Sequence, residues 1–106
     1  MSLFRCLRAP DVNQGVEEFQ KTKGAVLLDV RTPEEYWEGH IPGSENIPLQ
    51  QLETVTSRVQ DKSTSVFVYC LSGGRSGQAS RRLKKMGYEN VTNIGGISAY
   101  RGRRER

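Results

Sequence analysis

Cys70 heads the stretch Cys70-Leu71-Ser72-Gly73-Gly74-Arg75-Ser76-Gly77, and its neighbours are the residue types that make a sulfur reactive. The thiolate is the nucleophilic form, and backbone N–H groups turned inward by a glycine-rich loop favour it over the thiol. A helix starting at Ser76 adds the partial positive charge of its N-terminus. Arg75 supplies a permanent cation at the far side of the loop, while Ser72 and Ser76 offer hydroxyl donors. Together these residues describe a nucleophilic sulfur beside a seat for an anion. A lone cysteine at a strand end is more commonly a small buried hydrophobe, but the Gly-Gly-Arg loop and the helix behind it favour the reactive role.

Such a loop needs a strand before it and a helix after it. Ser65-Val66-Phe67-Val68-Tyr69 reads as a strand covered on both faces, and Ala79, Leu83 and Met86 share one face of a helix that Gly87 stops. Upstream, Pro10 fits a first helical turn and Val12, Val16 and Phe19 continue it until Gly24; Ala25-Val26-Leu27-Leu28-Asp29-Val30 is a second buried-type strand. Thr32-Pro33-Glu34-Glu35 carries a cap, a proline and early acids, the start of a short helix to about Gly39. Residues 40–48 hold too many turn formers for a regular element, Leu49, Leu52, Val55 and Val59 resume helical spacing, and Val91-Thr92-Asn93-Ile94 is a third strand before the loop and short helix of residues 95–100. Strands that alternate with helices predict an α/β fold, a small, mostly parallel sheet with helices on both faces, and ligands at the ends of its strands.

The 106 residues suit a single domain, and 35% hydrophobic with 26% charged residues is the composition of a soluble globular chain. No apolar run reaches membrane-spanning length and the first residues lack the build of a signal peptide, so a cytoplasmic protein without membrane contact is expected. Two cysteines, Cys6 and Cys70, cannot make a disulfide framework, and no metal site is expected from their spacing to His40. Of the net charge of +4, three units lie in Arg101-Gly102-Arg103-Arg104-Glu105-Arg106; residues 103–106 read as a frayed basic tail more readily than as a nucleic-acid contact.

Residues 70–76 resemble the active-site loop of single-domain rhodaneses. Leu28-Asp29-Val30-Arg31 with Glu35-Tyr36, and residues 39–44 with Asn46-Ile47-Pro48, resemble that family's N-terminal motif; Gly95-Gly96-Ile97-Ser98-Ala99-Tyr100 resembles its C-terminal one. The likeness runs from about Leu7 to Gly102, in family order, with Tyr100 replacing a usual Trp and Ser44 a frequent Ala. The resemblance implies a three-layer rhodanese-like fold and a sulfurtransferase. Cys70 would take a sulfane sulfur from thiosulfate or a persulfidated protein, hold it as a persulfide, and pass it to cyanide or a thiol acceptor, with no cofactor. Leu71, Ser72, Gly73, Gly74 and Arg75 would form the anion-binding loop, and Asp29, Arg31 and Ser76 would support it.

The remaining motif residues read as scaffold. Asp29 and Arg31 suit a buried charged brace, His40 a turn-stabilising donor, Tyr36 and Trp37 core aromatics more than pocket-rim ones, and Cys6 packing. Two other functions compete. A Cys-dependent phosphatase or arsenate reductase of the same fold has a loop one residue longer than the four residues between Cys70 and Arg75. A non-catalytic rhodanese-like binding module often lacks the cysteine, and a persulfide carrier acting only with a partner protein is the variant nearest to the preferred reading.

Overall fold

The computed structural model describes residues 10–106. In chain order these are α1 (Val12–Lys21), β1 (Val26–Asp29), α2 (Pro33–Glu38), β2 (Ser44–Asn46), a 3-10 segment (Leu49–Thr54) running into α3 (Val55–Arg58), β3 (Ser65–Cys70), α4 (Gly74–Lys85), β4 (Asn90–Gly96) and a final 3-10 turn (Ile97–Ala99). The four strands form one parallel sheet in the order β2-β1-β3-β4. From β1 the chain steps outward to β2, then crosses back to β3. The reversal of direction between β1 and β3 opens a crevice at the C-terminal ends of those strands. Cys70 is the last residue of β3 and stands at that crevice.

Alternation along the strands builds two cores. Leu27, Phe67, Tyr69 and Ile94 face α1, where they meet Val12, Val16, Ile41 and Ile97. Leu28, Val66, Val68 and Cys70 face the other way, onto Leu52, Val55, Ala79 and Leu83. Because both faces are covered, the strands read as continuous apolar runs rather than alternating ones. Leu27, Leu28, Leu52 and Leu83 are fully buried, each contributing about 1.5–3 kcal/mol relative to an exposed side chain.

Local chemistry sets the helix ends. Asp11 caps α1 by accepting the Asn13 N–H, so the helix starts at Val12 and Pro10 precedes it. Thr32 and Glu35 form a reciprocal capping box on α2, and Gly87 turns the chain out of α4 at φ +103°. Helix α4 begins two residues before the expected Ser76, with Gly73 as its left-handed cap at φ +111°.

Three expectations are corrected. Residues 40–48 do contain an element: Ser44–Asn46 forms the edge strand β2, held by backbone pairing to β1 despite its turn-forming composition. Neither Tyr36 nor Trp37 is a core residue: Tyr36 is half-buried and Trp37 70% exposed, because α2 is a short helix with no buried residue. The end of the chain is not frayed: the Glu105 and His40 backbones exchange two hydrogen bonds of 2.8 Å, and Arg104 Nη2 donates to the Ile97 carbonyl at 2.9 Å. Long-range pairing of this kind leaves no local trace in sequence. Cys6 and residues 7–9 lie outside the described residues. Among the described residues no helix is long and apolar enough to cross a membrane.

Candidate active site

The sulfur of Cys70 lies inside its own loop. Only 1% of the residue is exposed; the Gly73 and Ser76 N–H groups donate to Sγ at 3.0 and 3.3 Å, and Ser76 Oγ accepts from Sγ at 3.4 Å. Burial pushes the thiol pKa up, but the hydrogen-bond contact with the Ser76 side chain and the N–H groups of Ser76, Gly73 and Ser72 outweigh it, so the net shift is downward. That favours the thiolate. Ser76 is fully buried, and its hydroxyl also reaches Asn93 Oδ1 at 2.7 Å, which in turn accepts the Gly95 N–H at 3.0 Å. Asn93 thereby fixes the hydroxyl that faces the sulfur.

Close backbone packing also shapes the loop. Gly96, paired with Cys70 across β3 and β4, has ordinary extended angles, yet an added Cβ would overlap the Leu71 carbonyl and crowd Ser72 Cα. The loop backbone rests on bare backbone at that point. Beyond it, the Leu71 carbonyl accepts the Ser98 N–H at 3.1 Å, tying the loop to the final turn, while the Leu71 side chain is 45% exposed.

Asp29 and Arg31 make the brace that their sequence positions predict. Both are buried; Arg31 Nη2 donates to Asp29 Oδ2 at 2.7 Å and to the Gly39 carbonyl at 2.8 Å, and Arg31 Nε reaches Asp29 Oδ1 at 3.0 Å. Neither residue touches Sγ; they hold the end of β1 and the end of α2 beside the loop. Asn46 adds to this by donating to the Asp29 and Arg31 carbonyls at 3.0 and 2.9 Å.

Tyr69, the residue before Cys70, is fully buried, and burial pushes its hydroxyl pKa well up, keeping it neutral. The Ile41 N–H donates to that hydroxyl at 3.1 Å, and Ser44 Oγ lies 3.1 Å away. Since Ser44 donates its own proton to the Ile41 carbonyl at 2.7 Å, the Tyr69 hydroxyl is the donor to Ser44. Ser44 therefore anchors the strand that presents the cysteine.

Arg75 is not a free cation. Its Nη1 and Nη2 donate to Glu35 Oε1 and Oε2 at 2.8 and 3.0 Å, a two-pronged pair joining α4 to α2. The Arg75 hydrogen bonds hold the Glu35 carboxyl down at about 2, although its partial burial acts the other way. His40 behaves as a turn donor: its ring stacks on Tyr36 at 3.8 Å, and Nδ1, 2.9 Å from the Tyr36 carbonyl, must carry the proton there.

Of the residues singled out in the sequence, Ser72, Gly73 and Ser76 thus meet at the Cys70 sulfur, Arg75 engages Glu35, Leu71 ties the loop to the final turn, and Asp29 and Arg31 brace the end of β1. Sequence reading passes over Glu35 as the partner of Arg75, Asn93 as the partner of Ser76, the steric need for Gly96, and Arg104. Glu35 is hidden because its capping role already accounts for it. Gly96 is visible as part of a glycine pair, but without its reason.

The crevice, the glycine-capped helix and the cysteine they enclose define the chain's class: it belongs to the rhodanese family, matching the model of the Rhodanese-like domain over residues 12–103. It is 46% identical over 71 residues to the thiosulfate sulfurtransferase PspE of Escherichia coli (strain K12), covering 66% of this chain and 68% of that one. A sulfurtransferase of Allochromatium vinosum is 39% identical over 80 residues, covering 74% of each. Among solved structures, a rhodanese with anions from E. coli superposes with a TM-score of 0.73 at 40% identity, covering 77% of this chain and 98% of that one.

Proposed function

We propose that this rhodanese-type sulfurtransferase carries its sulfur on Cys70 as a persulfide. The observation that supports this most directly is the set of N–H donors converging on a buried Sγ. The Cys70 thiolate attacks the outer sulfur of thiosulfate; the new S–S bond forms as the donor's S–S bond breaks, and sulfite leaves with the bonding pair. A thiolate or cyanide then attacks the outer sulfur of Cys70–S–S⁻, and the electron pair returns to Sγ. No net oxidant is needed.

The first-turn N–H groups of α4 at Gly74 and Arg75 have no carbonyl four residues back within the helix. With Ser72 they are available to the outer sulfur, so the loop stabilises negative charge where it develops. Arg75 lends its charge from the rim while Glu35 fixes its direction. The resident group is the protein's own cysteine, and the partners are a small anionic or persulfide donor and a thiophilic acceptor.

The reading is tested by intact mass. Incubation with thiosulfate is expected to add one sulfur atom, removable by cyanide and absent from Cys70→Ala. If rapidly quenched protein turns over thiosulfate and cyanide without that adduct, transfer is direct and Cys70 is not a carrier.

A further inference from the structure

Beside the cysteine loop lies a cleft of about 290 Å³ lined by Arg31, Glu35, Glu38, Gly39, Leu71, Ile97 and Arg104. Resting on the sulfur-carrier reading above, we propose that this cleft seats an acceptor thiol bearing an α-amino-acid zwitterion, with Arg104 binding its carboxylate and Glu38 its ammonium.

The charges lead to that class of ligand. A seat for a bare dianion would gather unopposed cations. Here Arg31 is paired with Asp29 at 2.7 Å and Arg75 with Glu35 at 2.8 Å, so both nearby arginines are already matched by carboxylates. Of the charged side chains lining the cleft, Arg104 and Glu38 alone form no ion pair among the described residues. The rim therefore has one cation and one anion to offer, neutral in sum but polarised, which complements a zwitterion rather than an anion.

Arg104 is also placed to act. Its Nη2 donates to the Ile97 carbonyl at 2.9 Å, and its stem passes over Gly39, Cδ lying 3.7 Å from where a Cβ would stand there. That tether uses one of the two Nη2 protons, and Nε and Nη1 have no protein acceptor among the described residues, so the second Nη2 proton and one of those neighbours form a free fork that suits a carboxylate. The hydrogen bonds between Glu105 and His40 keep this stretch against the cleft. Glu38 is the last residue of α2, next to Gly39. The half-exposed Leu71 side chain offers apolar surface to a methylene between the charges and the reacting sulfur. In the transfer, the acceptor thiolate forms a bond to the outer sulfur of Cys70–S–S⁻, the Cys70 S–S bond breaks toward Sγ, and the products are R–S–S⁻ and the Cys70 thiolate.

The test runs thiosulfate as donor against four acceptors: L-cysteine, 3-mercaptopropionate with the carboxylate only, cysteamine with the ammonium only, and 2-mercaptoethanol with neither. Arg104→Gln is expected to lower the kcat/KM ratio of L-cysteine to cysteamine about tenfold, the scale of one lost charge-assisted hydrogen bond, and Glu38→Gln to lower the ratio of L-cysteine to 3-mercaptopropionate similarly. Comparing each ratio with wild type cancels differences in thiol acidity. Ratios that stay at their wild-type values in both variants overturn the proposal. S-methyl-L-cysteine, which cannot react, supplies a readout without turnover. Saturable NMR shifts at Gly39, Leu71 and Ile97 that weaken in both variants support the cleft assignment, and no saturation at millimolar ligand overturns it. Thiosulfate:cyanide turnover and the Cys70 adduct report separately on the parent reading, so the two ideas fail in different assays.

Discussion

Arg75 meets Glu35 through two parallel hydrogen bonds, so substituting it does two things at once. Arg75→Ala removes a cation from beside the sulfur and uncovers a carboxylate that repels both the donor and the persulfide. The expected result is a fall in kcat/KM for thiosulfate of about tenfold or more, with a stability loss limited to about 1 kcal/mol because the pair is partly exposed. Much of that fall should return in the Arg75→Ala/Glu35→Gln double variant, where the uncovered charge is gone. If the double variant is as slow as the single one, the guanidinium acts on the donor directly and Glu35 only aims it. Steady-state kinetics with thiosulfate, alongside urea denaturation of each variant, separates these outcomes. Ser44 illustrates a different kind of residue effect. Read from sequence it is an incidental replacement, yet its hydroxyl is the acceptor for the buried Tyr69 proton.

At the scale of elements, the loop after β3 depends on the end of β4. Gly96→Ala would drive a methyl group into the Leu71 carbonyl, a backbone atom that cannot rotate away. Overpacking of this kind costs about 1–3 kcal/mol, and relief requires the loop to lift off β4, spoiling the N–H geometry around Sγ. The variant is therefore expected to lose transfer activity more than stability, read as kcat/KM per folded molecule against a melting curve. Normal activity at a lowered melting temperature would mean that the strain is absorbed in β4. The same elements mark how far sequence reading reaches. Strands β1 and β3, the cap of α2 and the cysteine loop are legible because each rests on local signals: apolar runs, a Thr-Pro-Glu-Glu start, a Gly-Gly-Arg turn. Strand β2 is not, because Ser44–Asn46 owes its conformation to β1 rather than to its own side chains. The contact of Gly96 with Leu71, the hydrogen bond of Asn93 to Ser76 and the pairing of Glu105 with His40 join distant positions, and no local pattern announces them.

For the molecule as a whole, the Glu35 carboxyl links stability to pH. Its pKa is lowered from 4.5 to about 2 on folding, so the unfolded chain binds the proton more readily than the native one. The contribution is fully present above about pH 4.5 and is lost as pH falls toward 2. Glu35→Gln should consequently melt below wild type near neutral pH, with the gap closing between pH 4.5 and about 2. A gap that is constant across this range would assign the effect to lost packing instead of lost charge. The pair also joins two elements distant in the chain: α2 follows β1, α4 follows β3, and the ion pair links the two helices.

The near-complete enclosure of Cys70 has a consequence for anyone labelling this protein. An activated thiolate is ordinarily the first cysteine to be alkylated, but here ionisation and access are opposed. Iodoacetamide, being slim, should modify Cys70 faster relative to a free peptide thiol than a bulky fluorescent maleimide does, and the discrimination should fade once the loop is loosened by Gly96→Ala. Rates measured by mass spectrometry for the two reagents would reveal it, and equal relative rates would show that the loop opens freely in solution. Covalent probes for this cysteine should accordingly be chosen for small cross-section rather than for electrophilic strength.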